Sequence, residues 1–268
     1  MLNQGRFAAL EEAMGPLLEK NAFIYGNAAG YTNGGITVWA KSIEDLYDKV
    51  IELNPNSPVP YMKLALLNAA RANASDNDVK KEKFLKAAIE KYNLAIAKKN
   101  DLAAAYYGKG MVYIKLKNID EAINQLKIAV NKSGNNRDYM FKLGRLYFNR
   151  GIAEAKTLKQ TDKTVSKKIT EKKDGENTKK EELTVKTAKT PKKKVIERNK
   201  DINTANQIFL NILQSNNNNA NSLYSLALLY NSVGEYDNAR AVVNKLLSVL
   251  QDKQQKNKVR NDFKDLLR

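Results

Sequence analysis

Residues 108–129 read "GKGMVYIKLKNIDEAINQLKIA". Small residues stand at Gly110, Ala122 and Ala129, and the bulky Tyr113 and Leu126 lie between them. The link "LKNI" before Asp120 has the length of the turn in a helical hairpin. Comparing the chain with itself shows that this stretch is one copy of a repeat. Ala88, Tyr92 and Ala95 recur thirty-four residues on as Ala122, Leu126 and Ala129. Gly110 and Tyr113 recur at the same interval as Gly144 and Tyr147, and Ala205 and Phe209 as Ala239 and Val243. A generic amphipathic helix explains apolar spacing but not small residues in register at a fixed long period. Two antiparallel helices that approach closely at Gly110, Ala122 and Ala129 explain both, with Tyr106, Tyr113 and Leu126 filling the space between layers.

Composition narrows the chemistry. The chain has 268 residues, no cysteine and no histidine. Disulfides, thiolate metal sites, Ser-His-Asp and Cys-His arrangements and HExxH zinc sites are all excluded. Adjacent acids such as Glu44–Asp45 and Glu181–Glu182 read as solvated faces in so charged a chain. We therefore expect no catalytic residue, no metal ligand and no cofactor. The net charge of +17 raises the question of an anionic partner. No run of eighteen apolar residues is present, and the start "MLNQGRFAALEEAMG" lacks the basic-then-apolar order of a signal peptide. A cytoplasmic location is the expectation.

With these residues in register, the chain resembles the tetratricopeptide repeat family. Residues 220–253 carry its pattern in Leu223, Leu226, Ala227, Tyr230, Gly234, Tyr236 and Ala239. Residues 103–136 carry it in Tyr106, Gly110, Tyr113, Ala122 and Ala129, with Lys109 where the family has leucine. The closing proline occurs once, as Pro55, and Asn100 and Asn217 take its place later. The resemblance spans residues 40–253 and implies an all-α, right-handed α–α superhelix, a solenoid of about five hairpins. It also implies a concave peptide-binding groove lined by the first helix of each repeat. By family position that groove would hold Met62 and Leu66, then Tyr107, Met111, Ile114 and Lys115. Phe141, Arg145, Phe148 and Asn149 would follow, and Tyr224, Leu228 and Asn231 after them. Family members that clamp a terminal carboxylate use a Lys/Asn/Arg set, and most of those places are apolar here.

Two repeats are interrupted. The one at 58–102 carries about eleven extra residues around "ANASDND". In the next but one, Gly144 lies eighty-three residues before Ala227, forty-nine more than one period. Between Lys156 and Lys200 stand sixteen Lys/Arg and seven Asp/Glu, no aromatic and few apolar residues. Such a segment cannot form a core, and it reads as a disordered basic loop.

The expected organisation is a degenerate first hairpin over 1–57, repeats over 58–160, the insert over 161–198, repeats resumed over 199–253 and a capping helix over 254–268. In the first part, "FAALEEAMGPLLEKNAFIY" reads as a helix broken near Gly15–Pro16, and a second helix runs from Ser42 to Leu53. "GNAAGYTNGG" between them reads as turns, since no Gly-Lys-Ser/Thr of a phosphate loop follows it. At the other end, "NKVRNDFKDLLR" puts Val259, Phe263, Leu266 and Leu267 on one face as a lid for the last repeat.

The resulting expectation is a non-enzymatic scaffold that binds protein or peptide partners in its groove. The alternatives are an anion-binding accessory protein that sets its basic insert on nucleic acid or a membrane surface, and the soluble part of a larger membrane-associated protein. The insert reading has a direct check, because a long loop that buries nothing costs little closure entropy. Deleting Thr161–Lys193 should leave the thermal midpoint nearly unchanged, and a large drop in calorimetry would reveal a folded domain there.

Overall fold

A computed structural model describes residues 44, 47–48, 50–52, 54–173 and 199–268, with Lys156 and residues 158–173 described by backbone alone. The readings of the first helix, of "GNAAGYTNGG" and of residues 174–198 lie outside the described residues. Those that are described form helices and turns, with no strand among them. Glu44, Tyr47, Asp48 and residues 50–52 are helical, with Tyr47 and Val50 buried as the repeat reading expects. The helices that follow are α1 (Val59–Ala74), α2 (Asp78–Lys98), α3 (Ala103–Lys115), α4 (Ile119–Lys132), α5 (Arg137–Lys173), α6 (Lys200–Ser215), α7 (Ala220–Ser232), α8 (Tyr236–Val249) and α9 (Lys253–Asp262). The fold class is the all-α solenoid of tandem helical hairpins. The chain separates into two compact units, Met1–Asn118 and Ile119–Arg268.

Local chemistry starts these helices. Pro60 stands in the first turn of α1, where its missing N–H costs nothing. The Asn77 side chain accepts from the Lys80 N–H at the start of α2, Asn219 accepts from the Ser222 N–H at α7, and Asp252 accepts from the Gln255 N–H at α9. The eleven extra residues at 58–102 do not form a loop. They lengthen α1 to 16 residues and α2 to 21, where α3 and α7 each have 13.

In the first unit α1, α2 and α3 enclose a core of Tyr61, Ala65, Leu85, Ala88, Tyr92, Ala95 and Val112. The decisive contact is between Tyr92 and Gly108. The Tyr92 hydroxyl lies only 2.3 Å from where a Cβ on Gly108 would be, so any larger residue would displace a ring that is 2% exposed. In the second unit Gly144 of α5 faces Phe209 of α6 in the same way, at 2.9 Å from the ring. Phe209, Ile202, Ala205, Leu226 and Leu229 form one cluster there, and Leu223, Ala227, Ala239, Val243 and Leu246 form a second. Val259, Phe263 and Leu266 of the C-terminal segment are buried in that second cluster, and the Arg240 Nε donates to the Leu266 carbonyl at 2.7 Å.

The turns show why the insert sits where it does. α3 ends with Lys117 at φ +59°, and the Asn118 N–H reaches back to the Tyr113 carbonyl. α7 ends in the same way, with Gly234 at φ +82° and the Glu235 N–H on the Tyr230 carbonyl. Gly151 holds the matching repeat position in α5 but stays helical, and the chain runs on. α5 therefore reaches Lys173, and residues 161–173, read from sequence as the start of a disordered loop, are helical. No Gly or Pro interrupts the stretch after Gly151 until Gly175, and its Lys, Ala, Leu and Glu residues favour helix over the loop their polarity suggests.

The chain returns at Asn199, whose amide donates to the Gly151 carbonyl at 3.2 Å while its oxygen caps α6 through the Asp201 and Ile202 N–H groups. Beside it Arg150 grips both carboxylate oxygens of the buried Asp201 and also bonds Asp120 of α4. A planar guanidinium suits this two-sided grip, which fixes the resumed repeat against its predecessor.

Ala122 is fully buried and Asn124 exposed. Ala122→Leu should cost roughly 1–3 kcal/mol by overpacking, and Asn124→Leu should cost little. Thermal melts of the two variants compare them directly, and an unshifted Ala122→Leu would contradict the repeat register.

Candidate functional site

In the first unit, α1 carries Met62, half-buried against the core, and Leu66, which is 51% exposed. On α3, Tyr107, Met111 and Ile114 are half-buried, and Lys115 is exposed. The Lys115 ammonium donates to the Asn73 Oδ1 at 2.5 Å, across from the last turn of α1. Burial, and secondarily repulsion from Lys81, holds this ammonium below the ordinary lysine range.

The second unit treats its candidates differently. Phe141 tilts against Phe209 with ring centroids 6.0 Å apart, and Phe148 packs on the same cluster. These two rings belong largely to the core, as the packing of a hairpin requires. Tyr224 meets Phe263 edge-on at 5.6 Å and donates its hydroxyl proton to Asp262 at 2.8 Å. Leu228 rests on the C-terminal cluster, Asn231 is half-buried, and Arg145 and Asn149 are exposed. The Arg145 charge lies near enough to act on the Tyr224 phenol.

Sequence reasoning missed Asn73 and Asp262. Asp262 had a signal, since it stands one thirty-four-residue period after Leu228. The lid therefore continues the first-helix register. Asn73 had none, because only the lengthened α1 brings it to Lys115. Among the described residues no group of three carboxylates is placed to hold a metal ion. No helix among them is long and apolar enough to cross a membrane.

The tetratricopeptide repeat family model matches residues 103–131 and 220–249. The chain is similar in fold to MamA, with 18% identity and a TM-score of 0.50 over 85% of this chain and 99% of that one. It is similar to a tetratricopeptide repeat protein from Parabacteroides merdae ATCC 43184, with 14% identity and a TM-score of 0.57 over 97% and 73% of the two chains. For BtubC (BKLC) from P. vanneervenii the identity is 12% and the TM-score 0.50, over 85% and 80%. No curated protein matches the chain. The chain thus carries tetratricopeptide repeats at these two places, within a series of helical hairpins.

Buried phenols give the chain an alkaline limit. Burial pushes Tyr92 up to about 12. Tyr224 also rises to about 12, through burial first and its bond to the Asp262 carboxylate second. Unfolded tyrosine loses its proton near pH 10. Between about pH 10 and 12 the folded chain thus binds more protons, so stability present in full below 10 falls as pH rises through that window. Tyr92→Phe should narrow this alkaline loss when helicity is followed by circular dichroism against pH. An identical curve for the variant would remove Tyr92 from the explanation.

Proposed function

We propose that this chain is a non-enzymatic scaffold that binds segments of partner proteins on the face presented by the first helices of its hairpins. The observation that carries the reading is Leu66. This leucine is half exposed on α1, on the same helix as Met62, and α3 of the same unit adds Tyr107 and Met111. Apolar side chains held at the surface by a rigid pair of helices suit a partner's apolar anchors, and a few such anchors carry most of an interface's affinity. Repeat class and surface chemistry support the same reading. The absence of histidine and cysteine removes the commonest catalytic arrangements.

In the second unit, taken by itself, Arg145 and Asn149 are the exposed candidates, and Phe141, Phe148 and Tyr224 serve packing first. The test uses a partner that co-purifies with the intact chain. Leu66→Glu and Arg145→Glu change exposed positions, so folding should hold while binding weakens by roughly 1–3 kcal/mol at an anchor, read by titration calorimetry. Deleting the basic insert should leave that binding unchanged. A partner indifferent to both face changes but lost with the insert would overturn the proposal.

A further inference from the structure

The helix α2 is half as long again as its counterparts. It has 21 residues where α4 and α8 have 14, and the repeat register aligns the start of α4 at Ile119 with Leu85. The surplus is therefore the two turns before Leu85, and they extend the outward face of α2. Val79, Lys83, Lys86, Glu90 and Leu94 recur every three or four residues and so share that face. Leu85, Ala88, Tyr92 and Ala95 are buried on the opposite one. Val79 is 78% exposed and Leu94 43%, two large apolar side chains about 22 Å apart along the helix. Lys83 and Glu90 stand between them, exposed and with no ion-pair partner among the described residues.

The order along this face is apolar, basic, acidic, apolar, which is its own complement when reversed. A second α2 turned antiparallel about an axis between Lys86 and Ala87 sets its Leu94 opposite Val79. The same axis, with nothing left to adjust, sets Lys83 opposite Glu90 of the second copy, twice over. Lys86 stands nearest the axis, where its counterpart would repel it, but it is already bonded to Glu82 of its own helix at 2.7 Å. Antiparallel alignment also opposes the helix dipoles and brings the acidic first turn at Asp78 beside the other copy's basic last turn at Lys98.

We propose that the outward face of α2 is a self-association surface, on which a second copy of this chain docks antiparallel through Val79, Lys83, Glu90 and Leu94. A partner of one charge sign would leave Lys83 or Glu90 facing its like, whereas a second copy satisfies both. A single helix face of this length covers less than a standard interface of about 1,600 Å², and the net charge of +17 opposes association. The dimer is therefore a weak one. Pairing through α2 leaves Leu66 of α1 uncovered in each copy, so on the scaffold reading a dimer offers a partner two such surfaces at once.

Sedimentation equilibrium of the full chain, from roughly 10 μM to 1 mM, reads the association directly. The intact chain should populate a dimer toward the upper end. Lys83→Glu and Glu90→Lys each set like charges opposite one another, and each should weaken association roughly tenfold or more. An equimolar mixture of these two variants should associate again, because every acid then faces a base across the contact. The chain carrying both exchanges should recover association by itself. Lys127→Glu, the same charge change at an exposed position of α4, should leave association unchanged. All these positions are exposed, so helicity by circular dichroism should hold throughout. Association indifferent to the single exchanges, or weakened by them and not restored in the mixture, would overturn the proposal. So would a chain monomeric over the whole range, and a thermal midpoint lowered by Val79→Asp would then give the face to the chain's own residues before Glu44.

Discussion

Close approach of helices at glycine is the constraint on which the packing depends. Tyr92 of α2 occupies the space a side chain on Gly108 of α3 would need, and Phe209 of α6 does the same above Gly144 of α5. Each ring is nearly or wholly buried. An aromatic ring laid on bare backbone sets the interaxial distance directly, because neither partner can give way. The contacts of α2 with α3 and of α5 with α6 follow from that spacing. The alanines at Ala88, Ala95, Ala205 and Ala239, all fully buried, keep the same spacing where no ring intervenes.

The large insert respects this constraint. It leaves the array at Gly151, where the preceding and following hairpins turn through Lys117 and Gly234, and it returns at Asn199. Between those points the solenoid loses nothing, because Arg150, Asp201, Asp120 and Asn199 close the base of the excursion with charge-assisted and capping bonds. A partly buried ion pair of this kind contributes mainly by fixing geometry, since its attraction is offset by the cost of removing charge from water. Here the geometry it fixes is the register of α6 against α5, with Phe209 delivered to Gly144.

The surfaces left over are unequal. In the second unit the first-helix rings are drawn inward, and the lid takes Tyr224 through both ring contact and hydrogen bond. In the first unit the lengthened hairpin leaves Leu66 half exposed and brings Asn73 to Lys115. The exposed apolar area is therefore greater on α1 than on the first helices of the second unit.

Much of the architecture was legible in the chain. Hairpin packing demands small residues at fixed places, so Gly110, Ala122 and Ala129 and their copies declare the period, the hairpins and the point where the insert interrupts them. The lid was legible from Val259, Phe263 and Leu266, because its apolar face has the helical period. What the sequence determined by itself was thus whatever repeats, since packing forces alike residues into alike positions. Side-chain fate at the candidate site was not of that kind. Phe141 and Phe148 hold groove positions by register, yet Phe209 and its neighbours draw them into the core. The helical run to Lys173 was hidden because a solvated helix and a solvated loop share one composition. The meeting of Asn73 and Lys115 was decided only by tertiary structure: it depends on how far α1 extends, and residues forty-two apart in sequence become neighbours only once α1 and α3 are packed.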